Sequence, residues 1–163
     1  MPLRSDWSQR PCPIARGINE IGDPWTLLIL RELLSGIYRF DEIRENTEAA
    51  ENILSARLKA LIAKGLAVQQ PYSEGRRTRF EYRPTQAALD ALPVLHAFAL
   101  WAEKNTPSDT PGRSLTIVCR ECHELSVTGE SCSSCNTHFT TENVSWIRPI
   151  YANHIPKPLS GAS

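Results

Sequence analysis

Residues 51–84 read ENILSARLKALIAKGLAVQQPYSEGRRTRFEYRP, and the period of the apolar residues changes inside this stretch. In the first half, Leu54, Leu58 and Leu61 fall on one helical stripe and Gly65 closes the run, which predicts a helix over about 51–64. After Gly65 the pattern alternates. LAVQQPY reads as a short strand, SEGRR as a turn-like loop and TRFEYRP as a second strand. Thr78, Phe80 and Tyr82 share one face of that strand, and Arg79, Glu81 and Arg83 share the other.

Upstream, Cys12 and Pro13 open a helix that reaches about Ile21, with Pro13 suited to the first turn. Asp23 and Pro24 repeat that logic: the carboxylate can cap, and proline needs no amide partner. The helix they start, WTLLILRELLS, is apolar on most sides and belongs in the middle of a core. Gly36 stops it, and a short helix, RFDEIREN, follows. Downstream, Thr85 can cap a long helix from Gln86 to about Asn105, with a kink or restart at Pro93. Helices, then a hairpin with a basic tip, then another helix make the order of a winged helix-turn-helix. In that architecture one helix enters the major groove, and the hairpin lies along the backbone or in the minor groove.

The bulk composition excludes more than it assigns. The chain has 163 residues, 41% of them hydrophobic, enough for a real core. Lys+Arg and Asp+Glu both total 18, so no global polyanion-binding field exists and any nucleic-acid contact must rest on a local patch. No apolar run approaches the ~18 residues of a membrane span. The start, MPLRSDWSQRPCP, lacks the apolar core of a secretory signal. The expectation is a cytoplasmic protein that keeps its thiols reduced. No glycine-rich nucleotide motif, Ser-His-Asp set or paired carboxylates stand out, so no enzymatic activity is expected.

Three segments carry a family resemblance: CPIARGINEIGDPWTLLILRELLSGIYRFDEI, LSARLKALIAKGLAV and RFEYRPTQAALDALPVLHAFALWAE, together spanning roughly residues 12–103. They resemble the HxlR-type bacterial transcriptional regulators, relatives of the MarR-like winged helices. The resemblance implies a dimeric repressor or activator on double-stranded operator DNA, commonly answering electrophiles, aldehydes, oxidants or another small-molecule effector. It also implies dimerisation through the first and last helices. Their Ile14, Ile18, Ile21, Leu89, Leu92, Leu95, Phe98, Ala99 and Trp101 exceed what one small core needs.

On the helix from Glu51 to Lys64, the outward set is Asn52, Ser55, Ala56, Arg57 and Lys59. Asn or Ser can read a base edge, and Arg57 or Lys59 can meet a guanine or a phosphate. At the hairpin tip, Arg76, Arg77 and Arg79 form the densest positive patch of the chain, and Gly75 gives the turn its freedom. Arg39, opening the short helix, is a further phosphate candidate. Without that fold, such a helix face or arginine cluster reads as ordinary solvated surface. Glu48 and Glu51 work the other way: they favour the helix terminus but repel phosphate. A hydroxyl residue near Ala50, frequent in the family as a helix cap, is absent. These features leave an alternative open, a winged-helix adapter that acts through protein contacts and not on DNA.

Beyond residue 105 the composition changes. TPSDTPGR (106–113) reads as a linker. IVCRECHELSVTGESCSSCN (117–136) holds Cys119, Cys122, Cys132 and Cys135 as two Cys-x-x-Cys pairs. Such pairs, set among β-forming stretches (SLTIV, LSVTG, FTTENVSWI), predict a zinc ribbon with one structural Zn²⁺ per chain. Disulfides, a redox dithiol and a rubredoxin-like iron site are the alternatives. A loop this small needs the metal for its stability. His123 and His138 read as bystanders. The fifth cysteine, Cys12, stands at a helix start whose free amides favour a thiolate. It matches a cysteine that some HxlR-type regulators use as a redox sensor, though a small capping residue would look the same.

The expected fold class is therefore mainly α with small β (α+β). The expected division is a winged-helix DNA-binding and dimerisation domain over 1–105, a linker over 106–113, a zinc-ribbon-like module over 114–150 and a tail over 151–163, frayed from Ile155 to Ser163.

Overall fold

The structure is a computed structural model and describes residues 6–106, 114–150, 154–159 and 161. Most of the expected linker and part of the expected tail lie outside the described residues. Four helices come first: α1 (Pro13–Ile21), α2 (Pro24–Leu34), α3 (Phe40–Thr47) and α4 (Glu51–Ala63). The hairpin β1 (Ala67–Glu74) and β2 (Arg77–Pro84) follows, then α5 (Gln86–Leu89) and α6 (Leu92–Asn105). The C-terminal segment forms β3 (Thr116–Cys119), β4 (Leu125–Ser126), β5 (Val144–Ile147) and β6 (Lys157–Pro158). These are a two-stranded sheet, β1-β2, and a four-stranded antiparallel sheet in the order β4-β3-β5-β6.

The local signals act as their chemistry demands. The Asp23 carboxylate accepts from the Thr26 amide at 3.0 Å and from the Thr26 hydroxyl, which caps α2. Gly36 at φ +80° and Gly65 at φ +70° end α2 and α4 in the left-handed region. Strand register runs through to Glu74 opposite Arg77, so the wing turns in two residues, Gly75 (φ +63°) and Arg76. The five-residue loop expected at SEGRR is shorter because backbone pairing continues past the apolar alternation. Thr85 sits at the start of α5 but does not cap it; its hydroxyl donates to the Gly65 carbonyl at 2.6 Å and ties α5 to the end of α4. The chain then restarts as α6, with Pro93 in its first turn.

Two cores share α2. Ile29, Leu30 and Leu33 pack with Ile43, Leu54, Leu58, Leu61 and Leu66 in the first. Leu34 turns to the second, where Leu89 and Leu92 meet Ile117, Phe139, Val144, Trp146 and Leu159. The C-terminal sheet thus obtains its apolar partners from α2, α5 and α6. Part of the tail expected to fray is anchored as well, among the described residues. Lys157 and Pro158 pair with β5, and Leu159 is buried among these residues.

Candidate nucleic-acid interface and metal centre

The helix-turn-helix is α3, a turn, and α4. The turn passes through Glu48 at φ 55°, and Ala50 begins α4 with no side-chain cap. Leu54, Leu58 and Leu61 anchor α4 in the first core, which leaves Asn52, Ala56 and Lys59 exposed and Ser55 half-buried. Arg57 is different: its guanidinium lies 3.3 Å from Asp23, the carboxylate that caps α2. Lys64, at the end of α4, donates to the carbonyls of Asn19 (3.0 Å) and Glu20 (2.7 Å) and fixes α1 beside it.

Several hairpin and α3 cations are held by carboxylates of the same chain. Arg39 stacks over Tyr72 at 4.7 Å and approaches Glu81 at 3.8 Å. Arg79 lies 3.5 Å from Glu74 and 3.8 Å from Asp41. Arg83 covers Tyr38 at 3.9 Å and bonds Glu81 at 2.8 Å. Arg44 meets Glu51 at 3.6 Å. Arg76 and Arg77 stand exposed at the tip, and neither makes a carboxylate contact among the described residues. The eight cations and polar residues read from the sequence therefore divide: Asn52, Lys59, Arg76 and Arg77 are open to solvent, while Arg39, Arg57 and Arg79 are pre-paired and Ser55 is half-covered. The pairing acids Asp23, Asp41 and Glu74 were not legible as part of this surface.

The four cysteines converge. Their sulfurs all lie within 4.8 Å of one another, with Cys119–Cys135 at 3.7 Å and Cys122–Cys132 at 3.6 Å. A tetrahedron of thiolates about 2.3 Å from a central zinc has edges of ~3.8 Å, so the spacing fits a four-sulfur metal site. It is far beyond a disulfide's ~2.05 Å. Both Cys-x-x-Cys segments make the same knuckle. His123 (φ 63°) and Asn136 (φ 61°) follow the second cysteine of each pair in the left-handed region. Their amides return to the carbonyls of Cys119 (3.0 Å) and Cys132 (2.9 Å). His123 and His138 are not in the ligand cluster.

The thiol acidities differ across the site. The Thr137 hydroxyl and amide draw Cys135 down to about 6. At Cys122 the Glu124 amide pulls downward, but desolvation and the three neighbouring sulfurs outweigh it and push the thiol up to about 12. Cys12 lies elsewhere, exposed at the start of α1 with no side-chain capping bond.

Among the described residues, Trp146 and Arg148 make polar links from the sheet beside the cysteine cluster to the helices. Trp146 is fully buried and donates its indole N–H to His96 Nε2 at 2.8 Å. An indole only donates, so Nε2 accepts, and the His96 proton resides on Nδ1, which donates to the Gly129 carbonyl at 2.7 Å. Burial lowers the His96 pKa against the opposing pull of that carbonyl. Arg148, directly after β5, forks onto Glu32 of α2 at 2.6 and 3.1 Å, with both side chains buried. Neither link was read from the sequence.

Ile14 and Ile18 of α1 and Val94, Phe98 and Trp101 of α6 are exposed, Trp101 by 61%. Leu89 and Leu92, expected to add to that exposed apolar surface, lie instead in the second core.

Comparison with known proteins agrees with this architecture. The pattern of the HxlR-like helix-turn-helix family matches residues 20–110. An uncharacterised HTH-type transcriptional regulator of Mycobacterium tuberculosis, Rv3095, is 31% identical over 131 residues, covering 80% of this chain and 82% of the relative. One from Methanothermobacter thermautotrophicus is 32% identical over 93 residues, 56% of this chain and 70% of the relative. The crystal structure of PA1607, a candidate transcription factor, superposes with a TM-score of 0.66 at 29% identity, covering 82% of this chain and 92% of that one. A match of 131 residues runs past residue 110 wherever it begins, so the mycobacterial relative shares part of the C-terminal segment as well.

Proposed function

The chain belongs to the HxlR-like helix-turn-helix family of transcriptional regulators, and from that membership we propose that it acts as a homodimer, binds a specific double-stranded operator and represses transcription until a small effector or an electrophile or oxidant releases it. One observation carries the DNA contact: a wing tip with two arginines, Arg76 and Arg77, that make no carboxylate contact among the described residues, beside a helix whose Asn52 and Lys59 face solvent. Asn52 and Ser55 are the base-reading candidates on α4; the wing arginines and Arg39 meet phosphates. The open apolar stripe of α1 and α6 supports a two-fold dimer, which sets two α4 helices about 34 Å apart along one turn of DNA.

The four thiolates are the donor set that soft or borderline metals prefer, and we assign them to one structural Zn²⁺ per chain. When bound, the ion cross-links the two knuckles and supplies stability that the short strands cannot. A colourless protein with one zinc per chain is the expected elemental result; a coloured iron protein would replace it with an electron-transfer site. Cys12 is exposed and is the candidate sensor of electrophiles.

A gel shift with DNA from beside its own gene, followed by genome-wide mapping of bound DNA, tests the function. Sequence-selective shifts are expected. Zinc-loaded protein that retards no genomic fragment would leave the adapter role instead.

A further inference from the structure

Glu32 is the only charged residue of α2 that is fully buried, and its two oxygens accept four hydrogen bonds. Oε1 takes Arg148 Nη2 at 2.6 Å and Arg31 Nε at 2.7 Å; Oε2 takes Arg148 Nη1 at 3.1 Å and Asn46 Nδ2 at 3.0 Å. Arg148 also reaches Ser35 Oγ at 3.0 Å. Arg31 Nη2 donates to the Asn46 carbonyl at 3.3 Å, so both the side chain and the backbone of Asn46 are held. Asn46 lies in the last turn of α3, two residues before the left-handed Glu48 that directs the chain into α4. The position of the DNA-facing helix is thus tied to Glu32 through its neighbour in the turn.

At the other end, Arg148 is placed by β5. β5 pairs with β3, and Cys119 of β3 lies opposite Val144 of β5. Cys119 is one of the four clustered sulfurs. A buried ion pair is a poor source of stability, because apolar residues of similar volume usually serve as well or better. A pair joining two separately organised elements has another use: it makes the geometry of one depend on the other.

We propose that filling of the four-thiolate site by Zn²⁺ is thermodynamically linked to operator binding through Arg148, Glu32 and Asn46. This rests on the DNA-binding and zinc assignments made above. With the site filled, the knuckles hold β3 and β5 in register and Arg148 stays in its fork. With the site stripped, the strands lose their cross-link and Arg148 withdraws. Glu32 then keeps only Arg31 and Asn46, and the turn into α4 loses its single geometry. Linkage is reciprocal, so operator DNA raises the affinity for zinc by the same factor that zinc raises the affinity for the operator.

The test uses the full chain and its mapped operator. Operator affinity is measured for zinc-loaded and chelator-stripped protein, and zinc affinity is measured by chelator competition with and without operator. The wild type is expected to lose affinity on stripping by on the order of ten-fold or more, with a matching gain of zinc affinity on DNA. In the Glu32→Leu/Arg148→Met double variant, which keeps the volume, removes both fully buried charges and leaves the partly exposed Arg31 to solvent, the ratio should fall to near one while zinc still binds. Asn46→Ala, which cuts the side-chain part of the last link and leaves the Arg31 bond to the backbone carbonyl, should shrink the ratio part of the way. Stripped wild type that binds operator as tightly as loaded protein overturns the linkage and leaves DNA binding intact. A ratio that survives in both variants overturns the route, and shows that stripping acts by general unfolding. Loaded wild type that binds no operator sinks the DNA-binding proposal, and this one with it.

Discussion

Arg77→Ala tests the wing most directly, because its side chain is exposed and makes no ion pair among the described residues. A free cation that meets a phosphate releases about 0.9 of a counterion from B-DNA, so each wing loses ~0.9 from the slope of log affinity against log salt. Two wings on one operator lose ~1.8. Between 50 and 200 mM salt, a four-fold change, that difference compounds to about twelve-fold: wild-type affinity should fall roughly twelve times further than that of the variant. The loss should also be uniform across operator sequences, since phosphates carry no base identity.

Arg79→Ala makes the contrast. Its guanidinium already sits 3.5 Å from Glu74 and 3.8 Å from Asp41. A phosphate has to displace those carboxylates, so the slope should change by less than ~0.9 per wing. Fluorescence anisotropy of a labelled operator over a salt series measures both variants. An unchanged slope in Arg77→Ala removes the wing tip from the interface. A loss concentrated at one base pair would mean that the side chain reads sequence and does not meet phosphate.

Trp101→Glu places a charge in the open stripe of α6 and should convert the dimer to a monomer by light scattering, with far-UV circular dichroism unchanged; a wild type that is already monomeric refutes the dimer. His96 gives a pH signature. Its folded pKa is lowered, so the unfolded chain takes up a proton first as pH falls below about 6.5, and stability is lost below that point by at most about 1.4 kcal/mol per pH unit until His96 itself titrates. His96→Gln keeps an acceptor for the Trp146 indole but cannot titrate. Urea midpoints from pH 7.5 to 5.5 should therefore fall more steeply in the wild type, and parallel curves would exclude the effect. Arg148→Met alone should cost about 3 kcal/mol, the lower end for orphaning one partner of a buried pair, because Arg31 and Asn46 still bond Glu32. Adding Glu32→Leu should restore part of that loss in urea unfolding, because it removes the orphaned carboxylate but also the bonds from Arg31 and Asn46, and simple additivity would refute the pairing.

The winged helix was legible because its signals are local. Asp23–Pro24 starts α2, glycines at 36 and 65 stop α2 and α4, and the period switches after Gly65; each acts within a few residues of where it is written. The cysteine pairs were legible for the same reason, since each knuckle closes within five residues. What escaped is non-local. Glu32 and Arg148 are 116 positions apart, and His96 and Trp146 are 50 apart. No periodicity relates them. A signal existed nonetheless: WTLLILRELL is apolar on most sides yet carries an acid, and SWIRPI sets one cation among apolar residues. A charge that its own helix must bury demands an opposite charge from elsewhere. Few segments of this chain offer one in an apolar frame, and Arg148 is such a candidate. The same reasoning explains the misplacement of Leu89 and Leu92. Ile21 and Leu95 of the same set pack against the first core, while Leu89 and Leu92 are surplus to it, and surplus apolar surface does not name its partner. Here the partner is the chain's own C-terminal sheet, whose Trp146 is buried in the same cluster as Leu34, Leu89 and Leu92. Because that sheet borrows its core from α2, α5 and α6, it cannot be reorganised without consequence for the helix that leads into the helix-turn-helix.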